Sequence, residues 1–431
     1  MKPEADLLVE NAAQLLTLSP APGAAEAEGK LGVIPDGTLA AKDGRIVWAG
    51  PAGEASKHIS LAADAKEVDA SGKVVLPGFI DSHTHLIFAG TREKEFELRL
   101  RGASYQEIAA KGGGIKSTVE KTRRASKEEL IQIGKKNLDS ILSLGTTTVE
   151  AKSGYGLSTK DEIKMLEALR DLGREHSVEV VATFLGAHEI PPEYAGKTED
   201  YVRLVIDEMI PAAAEKKLAR FCDVFCEKGV FSLEQSRRIL EAGKRNGLIP
   251  KLHADELTPL GGAELAAEIG AVSADHLLFI SEKGMEAMAQ KGIVATLLPG
   301  TAFFLFLGRY APARQMISRG VTVALASDFN PGSCMTESLP LITTIACTQM
   351  RMTPAEAILG ITLNAAKALG KEKEIGSLEP GKQADLVILD IPDYRHLSYH
   401  FGVNHAWKVA KKGRIVWEAE SSHSTIRVGP R

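Results

Sequence analysis

The chain is short of cysteine, has no surplus of positive charge and contains no long unbroken apolar run, and each shortage closes off a class of function. Four cysteines (Cys222, Cys226, Cys334 and Cys347) in 431 residues are too few for a disulfide scaffold, so the chain is read as a cytoplasmic protein with reduced thiols. Its 52 basic residues are outnumbered by 56 acidic ones, for a net charge of −4, and no dense basic block occurs. Nothing in that balance recruits nucleic acid or an anionic membrane. The opening "MKPEADLLVE" lacks the apolar core of a secretory signal. The most apolar run, "VATLLPGTAFFLFLG", is broken by Pro299 and Gly300 and is too short to cross a bilayer. What remains, 44% apolar and 25% charged residues, is the balance of a globular protein long enough for a large barrel and a smaller accessory domain.

The two ends of the sequence echo each other. "KDGRIVWAG" at 42–50 and "KKGRIVWEA" at 411–419 share Gly-Arg-Ile-Val-Trp, each a turn followed by a β-branched and aromatic run. With "DLLVENA", "KVVLPGF" and "ADLVILD" as further strands, they predict one small β-sandwich assembled from residues 1–76 and 373–420, with a long domain over 77–372 inserted between. Residues 421–431 are read as a loose tail. The inserted stretch alternates short apolar runs with amphipathic segments, the pattern of βα units. Eight strands are expected, in "GFIDSHTH", "TTTVEAKS", "VEVVATFLGAHE", "RFCDVFCE", "LIPKLHADE", "VSADHLL", "GIVATLLPG" and "VTVALASDFN". A helix over "SKEELIQIGKKNLDSILSLG" starts at Ser126, with Glu129 at the capping-box position. Eight such units closing on themselves make a TIM barrel, an α/β fold whose active site lies at the carboxyl ends of the strands.

The polar residues fall at those ends. His83 and His85 close the first strand and, being alternate residues, share a face. His188 closes the third, His253 and Glu256 the fifth, His276 the sixth and Asp328 the eighth. One buried histidine is usually a hydrogen-bonded core residue; this many together are not packing. His176, alone in a connection, is expected at the surface. His83, His85, His253 and Asp328 offer three nitrogens and one oxygen, a donor set for one zinc or iron ion with a position left for water. Such an ion makes a nucleophile of that water near neutral pH. Glu256 is placed to accept and return a proton, and His276 to donate a hydrogen bond to a forming oxyanion. Glu256, His276 and Asp328 all remain open as the first proton acceptor. The chemistry is hydrolysis of a C–N bond.

These residues carry a resemblance. "PGFIDSHTH", the histidines on the fifth and sixth strands, the aspartate in "SDFNPG" and the tail "TPAEAILGITLNAAKALG…GSLEPGKQADLVILD" resemble the amidohydrolase superfamily over nearly the whole chain. Within it, "HTHLIFAGTREKEFELRLRGASYQEIAAKGGGI", "EAKSGYGL", "TFLGAHEIPPEY", "HADEL" and "ASDFNPGS" are similar, in order, to the imidazolonepropionase family. The resemblance implies hydrolysis of 4-imidazolone-5-propanoate to N-formimidoyl-L-glutamate in histidine degradation, a homodimer, metal ligands at His83, His85, His253 and Asp328, and catalytic roles for Glu256 and His276. It implies substrate contacts at Arg92, Tyr155, His188, Glu256, Asn330, Gly332 and Ser333.

That substrate carries a carboxylate, which the planar guanidinium of Arg92 suits, with the Tyr155 hydroxyl as a second donor. The plainer reading of Arg92 is an ion pair with Glu93 or Glu95. In "DFNPGS" a tight turn presents Asn330 and nearby backbone beside Asp328. "KGGGIKST" (Lys111–Thr118) is read as a mobile loop over the mouth, not a phosphate cradle, because its Lys-Ser does not stand at the spacing a phosphate loop requires. Dinuclear relatives bridge two metals with a lysine on the fourth strand; here Cys226 or Glu227 takes that position, so one metal is expected. Cys222 and Cys226 are read as barrel packing. Three rival readings remain: a deaminase of a cyclic amidine such as a purine or pyrimidine, which gives Arg92 and Tyr155 no task; a cyclic-amide hydrolase of the hydantoinase kind, which wants the missing lysine; and a non-catalytic scaffold, which predicts eroded ligands.

Overall fold

The structure, a computed structural model, describes residues 2–19, 26–102 and 113–420. The chain begins with five strands: β1 (Glu4–Leu16), β2 (Val33–Lys42), β3 (Arg45–Pro51), β4 (Ser60–Asp69) and β5 (Val74–Pro77). Gly78 then passes the chain into eight barrel strands: β6 (Phe79–Asp81), β7 (Thr146–Lys152), β8 (Glu179–Ala187), β9 (Phe221–Cys226), β10 (Ile249–Ala254), β11 (Ser273–His276), β12 (Val294–Leu297) and β13 (Val323–Leu325). β14 (Leu386–Leu389), β15 (Ala406–Lys411) and β16 (Arg414–Glu418) return to the first group.

The barrel strands pair in sequence order, all parallel. The ring closes just past the named strands, where Asp328 N donates to His83 O at 3.0 Å and His85 N donates to Phe329 O at 2.9 Å. Closure therefore happens at the very residues that carry the polar side chains. Helices separate the strands, and the expected capping box is formed: Ser126 accepts from Glu129 N while the Glu129 carboxylate accepts from Ser126 N. Such a cap stabilises a helix by about 1 kcal/mol. Cys222 and Cys226 lie buried in the barrel's apolar core, as packing requires.

The terminal strands form one curled sheet in the order β16-β15-β14-β5-β1-β2-β3, with β4 beside β1. The sequence echo is a structural echo. Both hairpins turn through two residues of positive φ, Asp43-Gly44 and Lys412-Gly413, the geometry that matches strand twist. Each also carries a register shift at the same place, setting Trp48 opposite Ala40 and Trp417 opposite Val409. The two turns meet: Ala384 N donates to Gly44 O and Gly413 N to Ala384 O. Leu7, Leu39, Ile46, Leu386, Ile388 and Ala410 fill the space the curl encloses.

Two sequence expectations change. His176 lies at the surface but is partly covered rather than freely solvated: its side chain is 11% exposed, its Nδ1 accepts from Val178 N, and its Nε2 lies 3.2 Å from Asp139. It follows the last residue of a helix, and its ring accepts the amide of Val178 where the chain turns into β8. Of the expected mobile loop, Lys111 and Gly112 lie outside the described residues, as does the tail at 421–431, whereas Ile115–Thr118 form the first turn of a helix over Ile115–Arg124. Four residues after the glycines have helical rather than loop geometry because Val119 and Thr122 on the same segment are buried.

Sheet and barrel are joined by charge. Glu179, at the start of β8, lies 3.2 Å from Lys411 on β15 and 3.0 Å from Lys371 behind the last barrel helix. Although burial opposes it, the two ammonium groups hold the Glu179 carboxyl down at about 2. The folded value lies below the ordinary one, so this stabilisation is complete above about pH 4.5 and is lost as pH falls toward 2. Glu179→Gln should cost about 2 kcal/mol at pH 7, allowing for partial exposure, and the gap to the parent should narrow in denaturant melts repeated toward pH 3. A gap that does not change with pH would show that the pairing is not electrostatic.

Candidate metal centre and active site

His83, His85, His253, His276 and Asp328 converge at the carboxyl end of the barrel, all buried. One ligand atom from each of His83, His85 and His253, and again of His83, His276 and Asp328, lies within 4.8 Å of the others. The rings of His83 and His253 stand 4.6 Å apart, and those of His83 and His85 5.6 Å. Asp328 Oδ1 is 3.5 Å from His83 Nε2 and 3.7 Å from His85 Nε2. Asp328 Oδ2 accepts from the Thr301 hydroxyl at 2.5 Å, which turns Oδ1 toward the histidines.

Among the described residues, His83 Nε2, His85 Nδ1, both ring nitrogens of His253 and His276 Nδ1 are buried with no hydrogen-bond partner. Buried polar atoms are rarely left so, and imidazole nitrogens aimed at one another need a shared partner. Two of the rings are held from behind: Asp275 Oδ2 is 2.7 Å from His83 Nδ1, and Asp223 Oδ2 is 3.0 Å from His253 Nδ1. A carboxylate can only accept, so on His83, whose contact with Asp275 is a hydrogen bond, the ring proton sits on Nδ1 and Nε2 presents its lone pair; on His253 the Asp223 carboxylate lies close behind Nδ1 as a charge contact. That is how ligating histidines are commonly set. The donor set of imidazole and carboxylate fits a borderline divalent ion.

The backbone at these ends is strained. Asp255, His276, Leu277 and Asp328 all adopt positive φ, a conformation costly for such residues and typical of functional sites. The rigid scaffold over-determines it: Asp255 takes Gly261, Gly262 and Ala263 amides on its carboxylate.

Glu256 and His276 face each other, His276 Nε2 lying 3.5 Å from Glu256 Oε2. Burial, reinforced by the nearby Asp328 charge, pushes the Glu256 carboxyl up to about 8. Burial and the neighbouring His253 keep the His276 imidazole neutral, well below its usual range. Across the site, the His188 ring stacks on His85 at 4.9 Å, and Tyr155 stands 5.4 Å from His188. Burial lowers His188 to about 3, and its Nδ1 donates to Gly154 O at 2.9 Å.

Arg92 makes the ion pair of its plainer reading, and with Glu95 rather than Glu93. Its Nε pairs with Glu95 at 3.0 Å while the guanidinium lies flat on Gly332, where a Cβ would stand 2.2 Å from Nη1. Asn330 is more inward than expected. Its Oδ1 accepts from Gly332 N and Ser333 N and its Nδ2 donates to Asp328 O, so the side chain builds the turn that carries Ser333 and Gly332.

The sequence reading passed over Asp223, Asp275, Lys152, Glu150, Thr301 and Glu162. The signal was present for four of them: Glu150, Lys152, Asp223 and Asp275 are charged residues inside strands that a parallel barrel would make apolar. Glu162 was hidden as an ordinary helix residue, yet its buried carboxylate accepts from the amides of Gly154, Gly156 and Leu157 and so shapes the loop that carries Tyr155. On the fourth strand the inward residue near the histidines is Asp223, not a lysine.

A model of the Amidohydrolase family matches residues 74–416. The chain is 53% identical over 412 residues to imidazolonepropionase of Symbiobacterium thermophilum, and 54% identical over 414 residues to that of Geobacillus kaustophilus, covering 95% of this chain and 97% of each relative. Imidazolonepropionase of Parabacteroides distasonis is 50% identical over 410 residues, covering 95% of this chain and 98% of that one. Among solved structures, 5-methylcytosine deaminase from Klebsiella pneumoniae superposes with a TM-score of 0.73 at 18% identity, covering 96% of this chain and 98% of that one. Guanine deaminase of E. coli gives 0.71 at 16% identity, with 96% and 99% covered. At such identities the two show a shared fold alone.

Glu162→Ala should strand three loop amides in a buried setting and cost about 3 kcal/mol. Denaturant melts would read the loss, and hydrogen exchange at Gly154, Gly156 and Leu157 should rise more than elsewhere. Unchanged protection at those amides would show that the loop holds its own shape.

Proposed function

The chain belongs to the amidohydrolase family and, within it, to the imidazolonepropionases, and from that premise we propose how its residues divide the work. The reaction is hydrolysis of the ring C–N bond of 4-imidazolone-5-propanoate, giving N-formimidoyl-L-glutamate. Water adds to the ring carbonyl carbon, the C–N bond breaks, and the leaving nitrogen takes up a proton.

His83, His85, His253 and Asp328 would hold one zinc or iron ion. The observation that carries this is the convergence of buried imidazole nitrogens without hydrogen-bond partners on His83, His85, His253 and His276 beside the Asp328 carboxylate, with Asp275 bonded behind His83 and Asp223 lying 3.0 Å behind His253. A divalent ion bound there supplies Lewis acidity and makes water nucleophilic at neutral pH.

Glu256 takes a proton from the attacking water and returns it to the leaving nitrogen. A carboxyl close to working pH exists in both forms, as a group that takes and returns a proton must, and burial brings Glu256 to about 8, where its ionised fraction is the proton acceptor. His276, kept neutral, has an N–H to offer the oxyanion that forms on the attacked carbon, worth two to three orders of magnitude in such sites. His188 and Tyr155 form the far wall. The Arg92 guanidinium holds the propanoate carboxylate, with Tyr155 Oη beside it and the Gly332–Ser333 turn beneath. Four unpaired cysteines support work in the cytoplasm, and the family resemblance supports a homodimer.

The first test is the decay of the substrate's absorbance on adding metal-loaded protein, with a chelated sample beside it. Fast decay that chelation abolishes and added metal restores is expected; decay at the spontaneous rate by a stoichiometrically loaded protein would overturn the assignment. Glu256→Gln should lower kcat by about two to four orders of magnitude while metal content stays at the parent value. Gly332→Ala places a methyl where the Arg92 guanidinium lies. It should raise KM by about 10- to 100-fold with a smaller change in kcat; a KM like the parent's would remove Arg92 from the carboxylate site.

A further inference from the structure

The barrel interior beneath the histidines is filled by charge. Lys152, on β7, is fully buried, and its Nζ lies 2.7 Å from Glu150 Oε1, 2.8 Å from Asp223 Oδ2 and 3.8 Å from Asp275 Oδ2. Each of these carboxylates has a second task. Asp275 backs His83 and Asp223 backs His253. Glu150 accepts from the amide of Thr84, which stands between His83 and His85, and the Lys152 amide itself donates to Thr84 O.

Stability alone does not account for this arrangement. A buried ion cluster is often no better for folding than apolar side chains of similar size. Three carboxylates packed this closely would repel one another strongly in a buried setting without a cation among them. Lys251 Nζ, 3.9 Å from Asp275 Oδ2, reaches the cluster's edge, but it donates its hydrogen bonds to Ser273 Oγ at 2.8 Å and Ala368 O at 3.5 Å. Lys152 is the ammonium at the centre, touching the carboxylates that aim two histidines on different strands.

We propose that Lys152 is a positioning residue for the metal centre: by holding Asp223 and Asp275 in place together, it fixes the direction in which His253 and His83 present their Nε2 atoms. It touches no substrate and no proposed ligand side chain, and it acts through the two carboxylates. The inference rests on the reading of His83, His85, His253 and Asp328 as metal ligands.

The experiment strips the protein of metal and measures zinc affinity by competition with a chromophoric chelator, for the parent, Lys152→Met and Glu179→Gln. Glu179→Gln serves as a destabilised control remote from the site. Lys152→Met should bind zinc about 10- to 100-fold more weakly while Glu179→Gln matches the parent. Should Lys152→Met not fold, Glu150→Gln/Lys152→Met removes one charge of each sign, leaves the cluster's net charge unchanged, and should show the same weakening. Parental zinc affinity in the folded lysine variant, whatever its melting temperature, would overturn the proposal. A parent protein that takes up no stoichiometric zinc or iron would instead sink the metal-ligand reading on which it rests.

Discussion

The buried charge cluster under the histidines is the constraint to which the rest of the molecule answers. Glu150, Lys152, Asp223, Lys251 and Asp275 come from four strands, β7 and, beyond β8, the adjacent β9, β10 and β11, and all are fully buried. Such groups survive inside a protein only if each finds its counter-charge. They can do so only in one register. A slip of one residue on any of these strands would send its charged side chain out among the helices and bring an apolar one in. The cluster therefore specifies how the strands pair while it orients the histidines above it, and one set of contacts serves folding and chemistry together.

The two ends of the barrel divide the mechanical work. At the carboxyl ends the backbone runs through left-handed residues at His276, Leu277 and Asp328, and the loops are held by buried carboxylates acting as acceptors for amide N–H groups: Glu162 for the Tyr155 loop and Asp255 for the turn after His253. These devices make a site rigid without regular structure, which suits groups that must meet a ligand in fixed geometry. At the other end, Glu179 with Lys371 and Lys411 ties β8 to the curled sheet. The sheet in turn knits both termini together where Gly44 and Gly413 meet around Ala384. A chain whose ends pair with each other restrains the inserted barrel at both its entrance and its exit.

Much was legible because it is written locally. Eight βα repeats announce themselves by length and apolar pattern, each within a window of some thirty residues. Ser126 with Glu129 marks a helix start for the same reason, since cap and partner are three residues apart. The Gly-Arg-Ile-Val-Trp echo foretold matching hairpins because a two-residue turn and its flanking strands are also local. His83, His85, His253, His276 and Asp328 stood out as chemistry-bearing types at strand ends, where a barrel gathers them whatever its detailed packing.

The tertiary structure alone decided which group backs which. His83 meets Asp275 across 192 positions, and nothing near either residue names the other; the pairing follows from strand register and from closure of the ring. The His176 ring took the Val178 amide, and the polar atoms of Asn330 were spent within its own turn, because neighbouring backbone lacked partners, a shortage invisible until the chain is folded. Thus the sequence by itself determined the barrel, the shared sheet of the termini and the types of side chain gathered at one rim. The structure decided their orientation, because aim depends on contacts between strands that only a closed barrel brings together.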